Sequence, residues 1–211
     1  MKTVLLYGDS NTWGVAPDGT RLPYHHRLAG VVQKSLPGGY RIIEEGLPGR
    51  TTVLDDPLGD YKNGLCYFVP CLLSHLPLDA VVIMLGTNDM QLCYRFPAAY
   101  SAEAIRQYIQ TVRRLCNESA VETPQILIAS PVEIADSIVQ SDLYPYFGNN
   151  SIEKSRQFGA LYQKVATEED TAFLNAAAFA CAGVDGVHIT PDGLEALGAA
   201  IANEINELLP S

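Results

Sequence analysis

The stretch Thr3-Val4-Leu5-Leu6-Tyr7-Gly8-Asp9-Ser10-Asn11-Thr12-Trp13-Gly14 decides the fold. From Val4 to Tyr7 nothing polar alternates with the apolar residues, which suits a strand buried on both faces, as in a parallel sheet. Gly8-Asp9-Ser10 then supplies the turn and capping residues that lead from a strand into a helix. Residues 81–85 and 126–129 repeat the apolar run, and the full set of strand candidates is 3–7, 40–44, 79–85, 125–129 and 172–175. Helical patterns separate them. Ser101 is placed to cap a helix with Ile105, Ile109, Val112 and Cys116 on one face. In the last helix Thr190 is the N-cap, Pro191 takes the first position, and Leu194, Leu197, Ile201, Ile205 and Leu208 form the apolar stripe. Segments 21–35, 64–74 and 151–168 also read as helical. Five consecutive βα units predict a single α/β domain over residues 1–211, a three-layer sandwich around a five-stranded parallel sheet. The site of such a sheet lies beyond the carboxyl ends of its strands.

Composition narrows the function. With 47% apolar and 18% charged residues the chain can bury a full core, which excludes intrinsic disorder. A net charge of −10 repels phosphate backbones and anionic lipid, so neither nucleic acid nor a membrane is an expected partner. Five cysteines (Cys66, Cys71, Cys93, Cys116 and Cys181) contain no C-x-x-C pair, and their odd number fits neither a disulfide framework nor a structural zinc site. Only four apolar residues follow Thr3 before the first charge, far short of a secretion signal. The expectation is a reduced, cytoplasmic protein.

The predicted strand ends carry four polar blocks: Gly8-Asp9-Ser10-Asn11, Gly46-Leu47-Pro48-Gly49-Arg50-Thr51-Thr52, Gly86-Thr87-Asn88-Asp89 and Asp185-Gly186-Val187-His188. Each alone reads as a turn or a helix cap; together, at one mouth of one sheet, they meet the needs of acyl transfer. A serine hydroxyl is a weak nucleophile until an imidazole takes its proton, and that imidazole needs a carboxylate to fix its tautomer. Ser10 is the candidate nucleophile, His188 the base and Asp185 its carboxylate partner. The backbone N–H groups of Ser10 and Gly49 and the side-chain amide of Asn88 are candidate oxyanion donors. His25 and His26 have no flanking acid, and His75 is expected at the opposite end of the sheet. H-E-x-x-H, P-loop, G-x-G-x-x-G and G-x-S-x-G patterns are absent, so no metal or cofactor is expected and the serine does not sit in an α/β-hydrolase elbow.

These blocks resemble those of the SGNH (GDSL-type) hydrolases, serine esterases and acylhydrolases on a flavodoxin-like sheet. The resemblance runs from Leu5 to about Gly198 and implies the same assignments for Ser10, Gly49, Asn88, Asp185 and His188. The stretches 44–52, 55–57 and 75–79 look most like the bacterial aryl-esterase and acyltransferase branch. That branch implies short-chain acyl esters as substrates, with an alcohol as a further acyl acceptor, and a tendency to oligomerise. Carbohydrate O-acetylesterase is the alternative within the family. Residue 11 is Asn where the family name implies Leu, which puts only local packing in question, and residue 48 is Pro where Ser is common.

Three further expectations concern side chains around the site. Trp13, Tyr94 and Phe96 are expected to wall the acyl pocket, and Arg50 to pair with Asp55 or Asp56. Asp9 and Asp89 are expected to anchor loops by accepting backbone N–H bonds. The long aromatic segments 55–70 and 144–147 predict a homo-oligomer, or else fold over the site of a monomer.

Overall fold

All five strand candidates form strands, within two residues of their expected ends. The computed structural model describes residues 1–210, in the order β1 (Lys2–Gly8), α1 (Ser10–Trp13), α2 (Leu28–Ser35), β2 (Tyr40–Gly46), α3 (Gly64–His75), β3 (Ala80–Met84), α4 (Ala98–Glu118), β4 (Gln125–Ser130), α5 (Tyr144–Phe147), α6 (Asn150–Ser155), α7 (Phe158–Glu168), β5 (Ala172–Asn175) and α8 (Pro191–Leu208). Every strand runs parallel to its neighbours in the order β2-β1-β3-β4-β5. The two-residue period of the strands sorts their side chains between two cores. Leu5, Tyr7, Val81, Ile83, Ile126 and Ile128 meet Phe68 of α3, Ile105, Tyr108 and Ile109 of α4, and Phe158 and Tyr162 of α7. Val4, Leu6, Val82, Met84, Leu127 and Ala129 meet Leu28 and Val32 of α2 and Leu194, Leu197, Ile201 and Ile205 of α8. The result is the expected three-layer sandwich.

The chain leaves β1 for β2 on one side, then returns to lay β3 on the other side of β1. That reversal opens a crevice at the carboxyl ends of β1 and β3, where doubly wound sheets place their ligands. Among the described residues, no helix is long and apolar enough to cross a membrane.

Three helix starts differ from expectation, each for a local reason. α4 begins at Ala98 behind Pro97, and Ser101 is buried inside its first turn, its hydroxyl donating to Asp89 Oδ2 at 2.7 Å. Segment 21–35 is split because Pro23 and Arg27 are extended, leaving a 3₁₀ turn at Tyr24–His26 ahead of α2. Segment 151–168 divides into α6 and α7. The last helix starts as read, with the Thr190 hydroxyl accepting from the Gly193 N–H.

Candidate active site

Ser10 opens α1 directly after β1, while His188 arrives on the loop before α8, almost the whole chain later. The Gly8–Thr12 corner is buried, and within it the side chains of Asp9, Ser10 and Asn11 find partners while the Thr12 hydroxyl has none among the described residues. The carboxylate of Asp9 accepts the Asn11 N–H at 3.0 Å. Burial pushes that carboxyl above its ordinary range, against the hydrogen bonds from Asn11 and Thr87 that favour its ionised form. The corner holds Ser10 Oγ 3.0 Å from His188 Nε2, and His188 Nδ1 lies 2.6 Å from Asp185 Oδ2. Asp185 Oδ1 accepts the backbone N–H groups of Val187 and His188, both at 2.9 Å. Burial works to raise the Asp185 pKa, but these hydrogen bonds and the His188 ring outweigh it and hold the carboxyl below its ordinary value. The structure therefore joins hydroxyl, imidazole and carboxylate in one chain of contacts.

The three expected oxyanion donors come from three strand ends. Asn88 follows β3, and its amide is fixed at both ends: Nδ2 donates to the Arg50 carbonyl at 3.0 Å and Oδ1 accepts from Gln91 at 3.1 Å. One Nδ2 hydrogen remains for a ligand. Gly49 lies in the loop after β2 with φ +78, and a Cβ there would sit 3.1 Å from Lys62 Nζ. Left-handed backbone, more than close substrate approach, is the visible demand for glycine at this position. Lys62 braces the loop by donating to the Pro48 carbonyl at 2.6 Å. Ser10, Gly49, Asn88 and His188 all border one cavity of about 290 Å³.

The cavity walls correct the aromatic expectation. Besides the polar residues they comprise Val15, Pro48, Gln91, Leu143, Tyr146, Phe147 and Val187. Trp13, Tyr94 and Phe96 are not among them. The Trp13 ring instead stacks under the Arg21 guanidinium, 4.9 Å away, and its carbonyl accepts from Arg21 Nε. Tyr94 is drawn aside by donating to Asp56 Oδ2 at 2.9 Å, and Phe96 packs edge-on against Tyr100. The segment around α5 takes their place, so one of the two long aromatic connections folds over the site of its own chain. Arg50 also departs from expectation: it is buried, and Nη1 donates to the carbonyls of Gly8 at 2.9 Å and Glu45 at 2.5 Å, with neither Asp55 nor Asp56 as partner. His25 and His26 pack against each other, their rings tilted by 50°, and neither borders the cavity of Ser10. His75 reaches Glu45 near the carboxyl end of β2, not the opposite end of the sheet.

Sequence reasoning missed one contributor and understated another. Asn11 Oδ1 accepts the Ile189 N–H at 2.9 Å, tying the helix that carries Ser10 to the loop that carries His188. Asp89 is buried and gathers the Thr52 N–H, the Thr52 hydroxyl and the Ser101 hydroxyl, which brings the loop after β2, the turn after β3 and α4 together. Its role as a loop anchor was expected, its three-way reach was not.

A parallel sheet with a serine, a histidine and a carboxylate converging at its switch point fits the class of serine hydrolases. The chain belongs to the GDSL-like lipase/acylhydrolase family, whose model matches residues 6–196, and it is an ester-hydrolysing enzyme. A carbohydrate acetylesterase from Sinorhizobium meliloti is similar at 33% identity and TM-score 0.92, covering 99% of this chain and 100% of that one. An aryl esterase from M. smegmatis is similar at 32% identity and TM-score 0.93, with the same coverage. Another solved structure, 39% identical over 100% of both chains, superimposes at TM-score 0.94. No curated protein matches the chain.

The Asn11 contact makes a measurable demand. Asn11→Leu, which restores the residue the family name implies, should leave the buried Ile189 N–H unpaired and lower stability by about 1–3 kcal/mol. Urea denaturation checks this, and turnover should fall with it, because the His188 loop loses its tie to α1.

Proposed function

We propose that the chain is a metal-independent serine esterase and acyltransferase for short-chain acyl esters, working through an acyl-serine intermediate. The observation that carries this reading is the contact chain Ser10 Oγ to His188 Nε2 at 3.0 Å and His188 Nδ1 to Asp185 Oδ2 at 2.6 Å, beside the three amide donors. Ser10 Oγ attacks the ester carbonyl carbon while its proton passes to His188 Nε2. The carbonyl oxygen, now an oxyanion, receives the N–H groups of Ser10 and Gly49 and the Nδ2 of Asn88. Collapse breaks the bond to the alkoxy oxygen, which takes the proton from His188 and leaves as an alcohol. Water or a second alcohol then repeats the sequence on the acyl-serine and regenerates Ser10. Asp185 keeps the imidazole in the productive tautomer and stabilises its charge.

The apolar walls supplied by Val15, Leu143, Phe147 and Val187 favour aryl and small alkyl esters. A second cavity of about 170 Å³ borders His188 and Asp185 and is walled by Val15, Pro17, Val184, Ile189 and Pro191. It offers an apolar alcohol a seat beside the base, which supports acyl transfer to alcohols as well as to water. Deacetylation of carbohydrates is the second reading, favoured by the similarity to the S. meliloti acetylesterase. Tyr61 and Tyr146, both more than half exposed on the long connections, support a homo-oligomer as the working form.

A serine-directed phosphonate should label Ser10 stoichiometrically, and Ser10→Ala should abolish both labelling and esterase turnover. Asn88→Ala should cost about 3 kcal/mol of transition-state stabilisation, on the order of a hundredfold in kcat at nearly constant KM. Aryl acetates and propionates should exceed octanoates in kcat/KM by at least about tenfold, since each excess methylene in a defined pocket costs roughly 1–3 kcal/mol. Leu143→Ala should move that cut-off toward longer chains, whereas Trp13→Ala should leave it in place. A preference for acetylated sugars over phenyl acetate would transfer the assignment to the second reading. Light scattering should return a mass above the 22.9 kDa protomer.

A further inference from the structure

Glu45, Cys71 and His75 form the one group of three metal-ligating side chains that converge among the described residues. Cys71 and His75 stand four apart on α3, so one turn of helix places thiol and imidazole on the same face. Glu45, next to last in β2, meets that face from the sheet. Its Oε1 lies 3.2 Å from His75 Nε2, and one ligand atom from each of the three residues lies within 4.8 Å of the other two.

We propose that this corner is a binding site for a thiophilic divalent cation such as Zn²⁺, held by Cys71 Sγ, His75 Nε2 and a Glu45 carboxylate oxygen. The geometry is near that of a tetrahedral site. Nitrogen and oxygen ligands about 2.1 Å from zinc stand roughly 3.4 Å apart, close to the Glu45–His75 distance. The sulfur edge of such a site is about 3.6 Å, so from separations within 4.8 Å the thiol needs to move by about 1.2 Å at most. Thiolate, imidazole and carboxylate together select zinc-like ions over magnesium or calcium, which take oxygen ligands.

The surroundings support a built site. The Tyr67 hydroxyl donates to Glu45 Oε2 at 3.3 Å, leaving Oε1 toward the imidazole. The Glu45 backbone is pinned by Arg50 Nη1 on its carbonyl. Cys71 is buried, whereas the Glu45 and His75 side chains are partly exposed, so the fourth position faces solvent and suits a water ligand. On binding, the Cys71 S–H bond breaks, its proton goes to solvent and the sulfur lone pair forms the metal bond. The thiolate and the Glu45 carboxylate then balance the dication, with the Arg50 guanidinium nearby as in the metal-free protein. The site lies outside the Ser10 constellation and serves no step of ester hydrolysis.

The test is titration of chelator-treated protein with Co²⁺. One equivalent should produce a sulfur-to-cobalt charge-transfer band in the near ultraviolet, which stoichiometric Zn²⁺ should bleach. Zn²⁺ should also raise the melting temperature. Cys71→Ser should remove the band, and His75→Ala, at the partly exposed end of α3, should weaken binding at least tenfold even if the cysteine variant fails to fold. Both variants should keep esterase turnover, and so should the chelator-treated enzyme. A missing band, a band that survives Cys71→Ser and so belongs to another cysteine, or binding lost only in His188→Ala would each overturn the proposal.

Discussion

A buried guanidinium holds the active corner together. Arg50 is 2% exposed, and a charge so far from water must be matched by acceptors or π faces. Its Nη1 binds the carbonyl of Gly8, the last residue of β1, and that of Glu45 in β2, while its guanidinium stacks 4.2 Å from the Tyr7 ring. Its own carbonyl accepts the Asn88 amide from the turn after β3. One residue thus links the strand end before Ser10, the loop that presents Gly49 and the amide of Asn88. These contacts add to the backbone pairing that sets the register of the strands, although Arg50 Nε itself has no partner among the described residues. The two acids expected as its partners are engaged elsewhere, Asp55 by the Asn63 amide and Asp56 by Tyr94.

Two buried carboxylates extend the same logic. Asp89 joins Thr52 to Ser101, and Asp9 turns the chain into α1. Burial raises the pKa of both, against multiple hydrogen bonds that act to lower it. Such residues position the amides of the proposed oxyanion site in advance, so that under the proposed mechanism little reorganisation remains for the moment when charge develops. Asn11 adds the long-range tie, since its bond to Ile189 spans nearly the full length of the chain. The departure from the family's usual residue at this position is therefore a structural contact and not a packing substitution.

Much of this was legible in the sequence. Strand identity follows from uninterrupted apolar runs, because a sheet covered on both faces tolerates nothing else at those positions. The Thr190-Pro191 start of α8 follows from capping chemistry, and the polar blocks at strand ends follow from the rule that loops carry function while strands carry the core. The start of α4 was misread because the Ser101 hydroxyl has two possible partners, its own helix end or Asp89, and only the fold brings the second into range. The acyl-pocket walls were misread for a related reason. Closeness in sequence to Ser10 and Asn88 suggested Trp13, Tyr94 and Phe96, but side-chain direction depends on competing contacts with Arg21, Asp56 and Tyr100.

The sequence by itself determined the sheet, the helical layers and the residue types at each strand end, since these depend on local periodicity and backbone chemistry. Tertiary structure alone decided which side chains meet across elements: Asn11 with Ile189, Arg50 with Gly8, Leu143 and Phe147 with the cavity of Ser10, and Glu45 with Cys71 and His75. Periodicity assigns a residue to a face, but a contact between faces depends on crossing angles and loop paths. Those are set by burial of the whole core at once, and no short stretch of sequence encodes them.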